Sequence, residues 1–322
     1  MGEYSQLTED ERYHIDAYKA VGFSPSEIAK QLGRHKSTIY REMSRNSGQR
    51  GYRPKQAQEK AERRRTEARK AVKMTPELIT VIELKIREDW SPEQISGWLK
   101  VEKLEAISHE RIYQHIWADK RNGGDLYLHL RRNGKKYQKR SNGKTSRGQI
   151  KNRVSIDKRP AVVDQKSRVG DWEIDTVIGK GHKGALVTLV ERKTSFALAA
   201  RVKTKQADEV TAATIELLRP YKHRTHTITA DNGKEFAMHE EIAKELATGF
   251  YFAHPYHSWE RGANENTNGL IRQYFPKDTN FLDVSDDEVY KAVCRLNARP
   301  RKKLGYKTPA TAMQKSLDRS AA

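Results

Sequence analysis

Hydrophobic spacing along the chain is of two kinds, and the change falls near the middle. Through the first 120 residues apolar positions recur at three- and four-residue intervals, the period of amphipathic helices. Thr8 and Glu11 form a T-x-x-E capping box. Ser24-Pro25-Ser26-Glu27 forms another, with proline at the first helical position. The pattern predicts a short helix to about Leu32, a left-handed turn at Gly33, and a third helix from roughly Lys36 to Arg45 with Ile39 and Met43 on one face. Ala29, Gly33 and Ile39 suit the small, turning and packing positions of a helix-turn-helix. Arg34, His35, Lys36, Ser37, Thr38, Arg41 and Arg45 are then the candidates to face a DNA groove or its phosphates.

The same pattern returns 67 residues later: Thr8 matches Thr75, Ile15 matches Ile82, and Phe23-Ser24-Pro25 matches Trp90-Ser91-Pro92. Ile28 and Leu32 match Ile95 and Leu99, and after a six-residue insertion Ile39-Tyr40 matches Ile112-Tyr113. A shared offset across three elements predicts an internal repeat. The last helix of the second unit carries His109, Glu110, Arg111, Gln114 and His115, of which Arg111 and Gln114 are DNA-contact candidates and Glu110 opposes that use. The competing reading is a pair of plain three-helix bundles, with the histidines as ordinary surface residues.

From about residue 168 the period shortens to that of strands. Strands are predicted over 171–178, 185–190, 196–202, 225–230 and 250–253. Helices are predicted over 207–218, 240–247 and from Ser258 to about Tyr274. Three strands followed by alternating helix and strand predict a mixed α/β sheet flanked by helices. The expected layout is a helix-turn-helix domain at 1–52, a charged linker at 53–73, a second helix-turn-helix-like domain at 74–120, a basic linker at 121–160 and a catalytic domain at 161–322. The stretch 53–73 reads as a solvated helix or a tether, because its charges alternate.

Charge narrows the partner. The 322 residues carry 62 Lys and Arg against 42 Asp and Glu, a net +20, which favours a polyanion through counterion release. Residues 131–153 hold ten Lys and Arg, no Asp or Glu, and three glycines that break any helix, so they read as an arm along phosphates or as an ordinary linker. That stretch has no regular apolar face, which disfavours a membrane surface. No run of about 18 apolar residues and no secretory signal is present, so a cytoplasmic protein is the simplest expectation. One cysteine, Cys294, excludes an internal disulfide or a cysteine-rich zinc site.

Three carboxylates stand out by position: Asp175 inside the first strand, Asp231 at the end of the fourth before Asn-Gly, and Glu265 on the helix that follows. A charge among Ile174, Val177 and Ile178 requires a cation, and hard oxygen ligands point to Mg²⁺ or Mn²⁺. Two such ions about 4 Å apart activate an attacking oxygen and stabilise a leaving one in phosphodiester chemistry. Arg261, Glu265, Asn268 and Arg272 share one helix face. Asn264 and Asn268 are candidate donors to phosphate or base edges, and Arg272 a candidate phosphate ligand. Asp171, Glu173, Glu235 and Glu260 are rival carboxylates, with Glu173 a candidate for supporting Asp175 on the same strand face. His254 and His257 either contact DNA or serve the surface. Tyr256 and Trp259 either stack on a flipped base or pack.

The spans GDWEID at 170–175, TADNGKEF at 229–236 and WERGANENTNGLIRQYFPK at 259–277 resemble the IS-thirty family of bacterial insertion-sequence transposases. The resemblance extends to the helix-turn-helix start and the closing LNARPRKKLGYKTPATAM, and 33 residues separate Asp231 from Glu265, as in such enzymes. It implies an RNase H-like, integrase-type core with Asp175, Asp231 and Glu265 as metal ligands and Arg272 as a DNA contact. It further implies binding of terminal inverted repeats, cleavage at an end, attack by the freed 3′-hydroxyl on another strand, and a circular intermediate. Two ends must be held together, so a homodimer or higher oligomer on double-stranded DNA is expected. A regulator with a dead core would lack a carboxylate, and a nuclease of this fold would not need two helix-turn-helix units.

Overall fold

The computed structural model describes residues 5–68, 73–131, 150–255 and 257–318. Most of the basic stretch, 132–149, and Tyr256 lie outside the described residues. The chain divides into two units, Met1–Val72 and Lys73–Ala322.

The first unit has four helices: α1 (Glu9–Ala20), α2 (Pro25–Gln31), α3 (Lys36–Asn46) and α4 (Pro54–Glu67). Both capping boxes form, at Thr8 with Glu11 and at Ser24 with Glu27. Gly33 takes a φ of +62° in the turn between α2 and α3, a conformation that favours glycine. Ile15, Ile28, Ile39 and Ala57 are fully buried in a common core. Ala57 belongs to α4, so of the two readings of 53–73 the helix is the one observed over most of it, packed on its own unit. Arg12 donates to Gln58, Lys60 to the Ser47 carbonyl, and Arg64 to Arg45 and Asn46. Small apolar contacts among charges gave too weak a period to show this. Arg12 and Glu42 form a buried pair at 2.7 Å that ties α1 to α3, and Tyr52 donates to the same carboxylate. Removing one partner of such a pair strands the other charge. Glu42→Ala is therefore expected to destabilise this unit by about 3–5 kcal/mol, read as a lowered urea midpoint of helix loss.

The second unit begins with α5 (Pro76–Arg87), α6 (Pro92–Val101) and α7 (His109–Arg121). Thr75, Ser91 and Ser108 cap the three helices. Ile82, Ile95 and Ile112 are fully buried, as are the matching Ile15, Ile28 and Ile39 of the first unit. Leu126 joins the α5–α7 core, so the helical body extends past residue 120. It docks on the remainder of the unit. Asp89 pairs with His129, Arg295 and Arg299, and Gln94 donates to the Pro300 carbonyl. Gly97 admits the Tyr306 ring, where a Cβ would meet a ring carbon at 1.9 Å.

After the short α8 (Val162–Gln165) come β1 (Asp171–Ile178), β2 (Ala185–Glu191), β3 (Ala197–Val202), α9 (Ala207–Leu218), β4 (Thr227–Ala230), α10 (His239–Leu246), β5 (Gly249–Phe252), α11 (Gly262–Tyr274), α12 (Asp286–Ala298) and α13 (Pro309–Asp318). The sheet order is β3-β2-β1-β4-β5. β2 runs antiparallel to both of its neighbours, β1 and β3, whereas β4 runs parallel to β1 and to β5. This is the mixed sheet flanked by helices, with the RNase H-like strand order. The pleat then distributes β1. Trp172 and Ile174 face the core shared with α9 and α10, while Val177 faces the core shared with α11 and α12. Odd-numbered Asp171, Glu173 and Asp175 therefore share the Val177 side, towards α11. Residues 154 and 155 pair with β5, so the catalytic body starts before residue 161.

Candidate active site

Asp175 pairs across the sheet with Thr188 of β2, and Asp231 follows the last residue of β4. Parallel pairing of β1 with β4, with Glu173 opposite Thr229, sets Asp175 level with Asp231 in the middle of the sheet, where β4 ends. Nη1 and Nη2 of Arg261 lie 3.5 Å from Asp175 Oδ2 and 3.5 Å from Asp231 Oδ2, respectively. One guanidinium thus stands between the two carboxylates. It also donates to the Ile174 carbonyl at 3.1 Å. Both aspartates are about a quarter exposed, at 25% and 23% of the side chain, so solvent and substrate reach them.

Each aspartate is held. Asp231 Oδ1 accepts from the Gly233 N–H at 2.8 Å, which shapes the Asn-Gly turn. Asp175 Oδ1 accepts from the Thr176 N–H, and its Oδ2 accepts from Asn268 Nδ2 at 3.0 Å. Asn268 is itself oriented, because Thr188 Oγ1 donates to its carbonyl oxygen at 2.9 Å. Burial pushes the Asp175 pKa above the usual carboxylate value. Arg261 pulls it back, and the nearby charges of Asp231 and Glu235 push it up again. The site gathers negative charge and calls for a cation.

Glu265 is exposed on the first turn of α11. Arg261 lies four residues before it and Asn268 three after, and both touch Asp175, so Glu265 lies on the helix face that meets the aspartates. Glu173 anchors that helix. Its Oε2 accepts from the Asn264 N–H at 2.9 Å in the first turn of α11, and its Oε1 takes Arg192 at 2.8 Å. Glu173 is 2% exposed, and its carboxylate satisfies an otherwise unpaired donor at the helix start.

The expected contact residues are placed as follows. Asn264 is fully buried, so it cannot reach DNA. Asn268 donates to Asp175 and orients its carboxylate. Arg272 donates to the carbonyls of Ile178, Phe275 and Pro276, which makes it a strut between β1 and the end of α11. Arg34 forks onto Glu11 and onto Ser5, within its own unit. By contrast His35, Lys36, Arg41 and Arg45 are exposed on or beside α3, and Ser37 and Thr38 are partly so. Arg111 and Gln114 are exposed on α7, bonded to each other at 3.4 Å. Among the rival carboxylates, Asp171 pairs with Arg168 and Thr227, and Glu235 with Lys205 and Thr176 beside the site. Thr188 was missed, although it is the one polar residue in the apolar run ALVTLV.

The donor set suits a divalent metal. The aspartate oxygens already converge on a cationic group, and all three candidate ligands are hard carboxylates of the kind Mg²⁺ and Mn²⁺ prefer. Among the described residues no helix is long and apolar enough to cross a membrane.

Known proteins share these features. A helix-turn-helix domain model matches residues 3–46. The catalytic core domain of BIV integrase aligns with 48% of this chain and 99% of its own at a TM-score of 0.40 and 19% identity. The transposase InsI for insertion sequence element IS30A of Escherichia coli K12 is 35% identical over 325 residues, covering 97% of this chain and 84% of that protein. The transposase for insertion sequence element IS4351 of Bacteroides fragilis is 48% identical over 305 residues, 94% of each chain. With sequence motifs, sheet order and relatives in accord over nearly the whole length, the chain belongs to the IS30 family of insertion-sequence transposases, enzymes of the Asp–Asp–Glu class.

Proposed function

We propose that this transposase binds the terminal inverted repeats of its element through the first unit, then cleaves and joins DNA with Asp175, Asp231 and Glu265 as ligands of two Mg²⁺ or Mn²⁺ ions. The observation that carries this reading is the convergence of Asp175 and Asp231 on one cation beside the helix of Glu265. Bound ions would supply activation of the attacking oxygen and stabilisation of the leaving one. The protein's own groups supply alignment. Asn268 and Thr188 fix the Asp175 carboxylate, the Gly233 N–H fixes Asp231, and Glu173 fixes the start of α11. Arg261 balances the paired negative charge and stands where a phosphate would approach. Work on two ends favours a homodimer or higher oligomer, in the cytoplasm with the DNA. Arg111 and Gln114 would extend the DNA contact from α7.

Purified protein with Mg²⁺ and a fragment carrying the element's ends should yield nicked and joined strands, whereas a fragment with scrambled ends should yield none. Equal products from both fragments would remove end recognition. The exposed cations of α3 test the interface itself. Arg41→Ala with Arg45→Ala is expected to weaken binding and to reduce the slope of log affinity against log salt by about 1 for each phosphate no longer neutralised. An unchanged slope in a band-shift series would place the phosphates elsewhere.

A further inference from the structure

Outside the candidate catalytic carboxylates, one further cluster of metal-ligating side chains stands among the described residues. His254 follows β5 by two residues, and His257 and Glu260 belong to the turn that leads into α11. One ligand atom from each lies within 4.8 Å of the others. The individual distances are tighter: Glu260 Oε1 is 2.8 Å from His254 Nδ1 and 3.1 Å from His257 Nδ1. A tetrahedral zinc ion with bonds near 2.0–2.1 Å holds its donors about 3.3 Å apart. The two imidazole contacts to Glu260 therefore need to open by only a few tenths of an ångström to receive an ion.

Two outer contacts prepare the donors. His254 lies between two carboxylates, with Nε2 3.0 Å from Asp157 Oδ2 and Nδ1 2.8 Å from Glu260 Oε1; an ion entering the cluster would displace the proton at Nδ1 while Asp157 keeps the Nε2–H. Glu260 Oε2 accepts from the His254 N–H at 2.9 Å, which leaves Oε1 directed at the two imidazoles. A carboxylate behind a ligating imidazole is the usual support of a zinc histidine, and here Asp157 comes from a segment 97 residues away. Two imidazoles and one carboxylate form a borderline donor set that suits Zn²⁺ better than the Mg²⁺ favoured by an all-carboxylate site.

We propose that His254 Nδ1, His257 Nδ1 and Glu260 Oε1 form a second, structural metal site for Zn²⁺ or a similar transition ion, separate from the catalytic carboxylates. The ion would link the end of β5 to the turn before α11. Glu260 adjoins Arg261, the residue that spans Asp175 and Asp231, so the link would hold Arg261 in register with the active site. It would also fix Trp259, which is 69% exposed and stacks on His257 with ring centroids 4.2 Å apart.

Co²⁺ is the probe, because a tetrahedral nitrogen–oxygen site gives it an intense visible spectrum that an octahedral carboxylate site does not. Full-length protein carrying Asp175→Asn and Asp231→Asn, stripped with chelator and returned to excess Mg²⁺, is titrated with Co²⁺. The expected result is a tetrahedral spectrum that saturates at one ion per chain and is displaced by Zn²⁺. His254→Gln with His257→Gln should abolish it, and Asp157→Asn should weaken Co²⁺ binding by about 10–100-fold. Zn²⁺ should raise the thermal midpoint of the parent and not of the double-histidine variant. The chelated variant should unfold at the parent's temperature, which separates missing ligands from a missing fold. Should that variant fail to fold, Asp157→Asn decides alone, and unchanged Co²⁺ affinity in it overturns the site. The proposal is equally overturned by an absent tetrahedral spectrum in the parent, or by one that survives removal of both histidines; the cluster is then a histidine–carboxylate ion-pair network only.

Discussion

Asp231→Asn is expected to lower strand cleavage by about a thousandfold while the chain stays folded and still binds end DNA. The Asn carbonyl can keep the hydrogen bond from the Gly233 N–H, so the turn after β4 is retained. The negative oxygen that faces Arg261 is lost, and with it a ligand for a divalent ion. Lewis-acid stabilisation of phosphodiester chemistry is worth several kcal/mol, and about 4 kcal/mol corresponds to three powers of ten in rate. Single-turnover nicking of end-labelled DNA reads the effect. Cleavage within tenfold of wild type would remove Asp231 from the ligand set. Asp175→Asn should behave alike in rate but also disturb Asn268, whose amide needs an acceptor at that place.

Glu173→Ala is the second large effect, and it acts through the fold. Glu173 and Arg192 are 2% and 7% exposed, and the same carboxylate holds the first turn of α11 through the Asn264 N–H. Removing it leaves a buried guanidinium without one of its two acidic partners and frees the start of the helix that carries Glu265. The expected cost is about 3–5 kcal/mol in the second unit, seen as a lower urea midpoint of strand and tryptophan signals. Glu173→Gln keeps an acceptor for the N–H and should cost less. End-DNA binding by the first unit should persist, because its core is its own. An unchanged midpoint in Glu173→Ala would show that α11 is positioned by its apolar face alone, through Leu270 and Ile271.

Structural signals were legible in the sequence wherever they are local in the chain. The boxes at Thr8 and Ser24 cap their helices, Gly33 turns left-handed, and the repeated isoleucines are buried in both helical bodies. The alternation along β1 put Glu173 on the same face as Asp175, and the spacing of Asp231 and Glu265 singled them out as its candidate partners. Partnerships across long separations were not legible. The polar helix face of Arg272 did not reveal that its guanidinium reaches the Ile178 carbonyl, 94 residues earlier. The partners of Asn268, Thr188 and Asp175, also lie on strands far back in the chain, and the helix spacing did not show that the Asn264 side chain is buried. Between a helix and a tether at 53–73 the sequence did not decide, because only Pro54 and Ala57 of α4 are buried, too few to set a period.

The most direct measurement pairs binding with chemistry on one substrate. Wild type and Glu265→Gln are incubated with Mg²⁺ and DNA bearing the element's ends, with binding read by band shift and products on a denaturing gel. The account predicts equal binding by both proteins, and nicked and end-joined strands from the wild type alone. Cleavage and joining by Glu265→Gln at wild-type level, or tight binding without cleavage by the wild type when both ends are supplied, would contradict it.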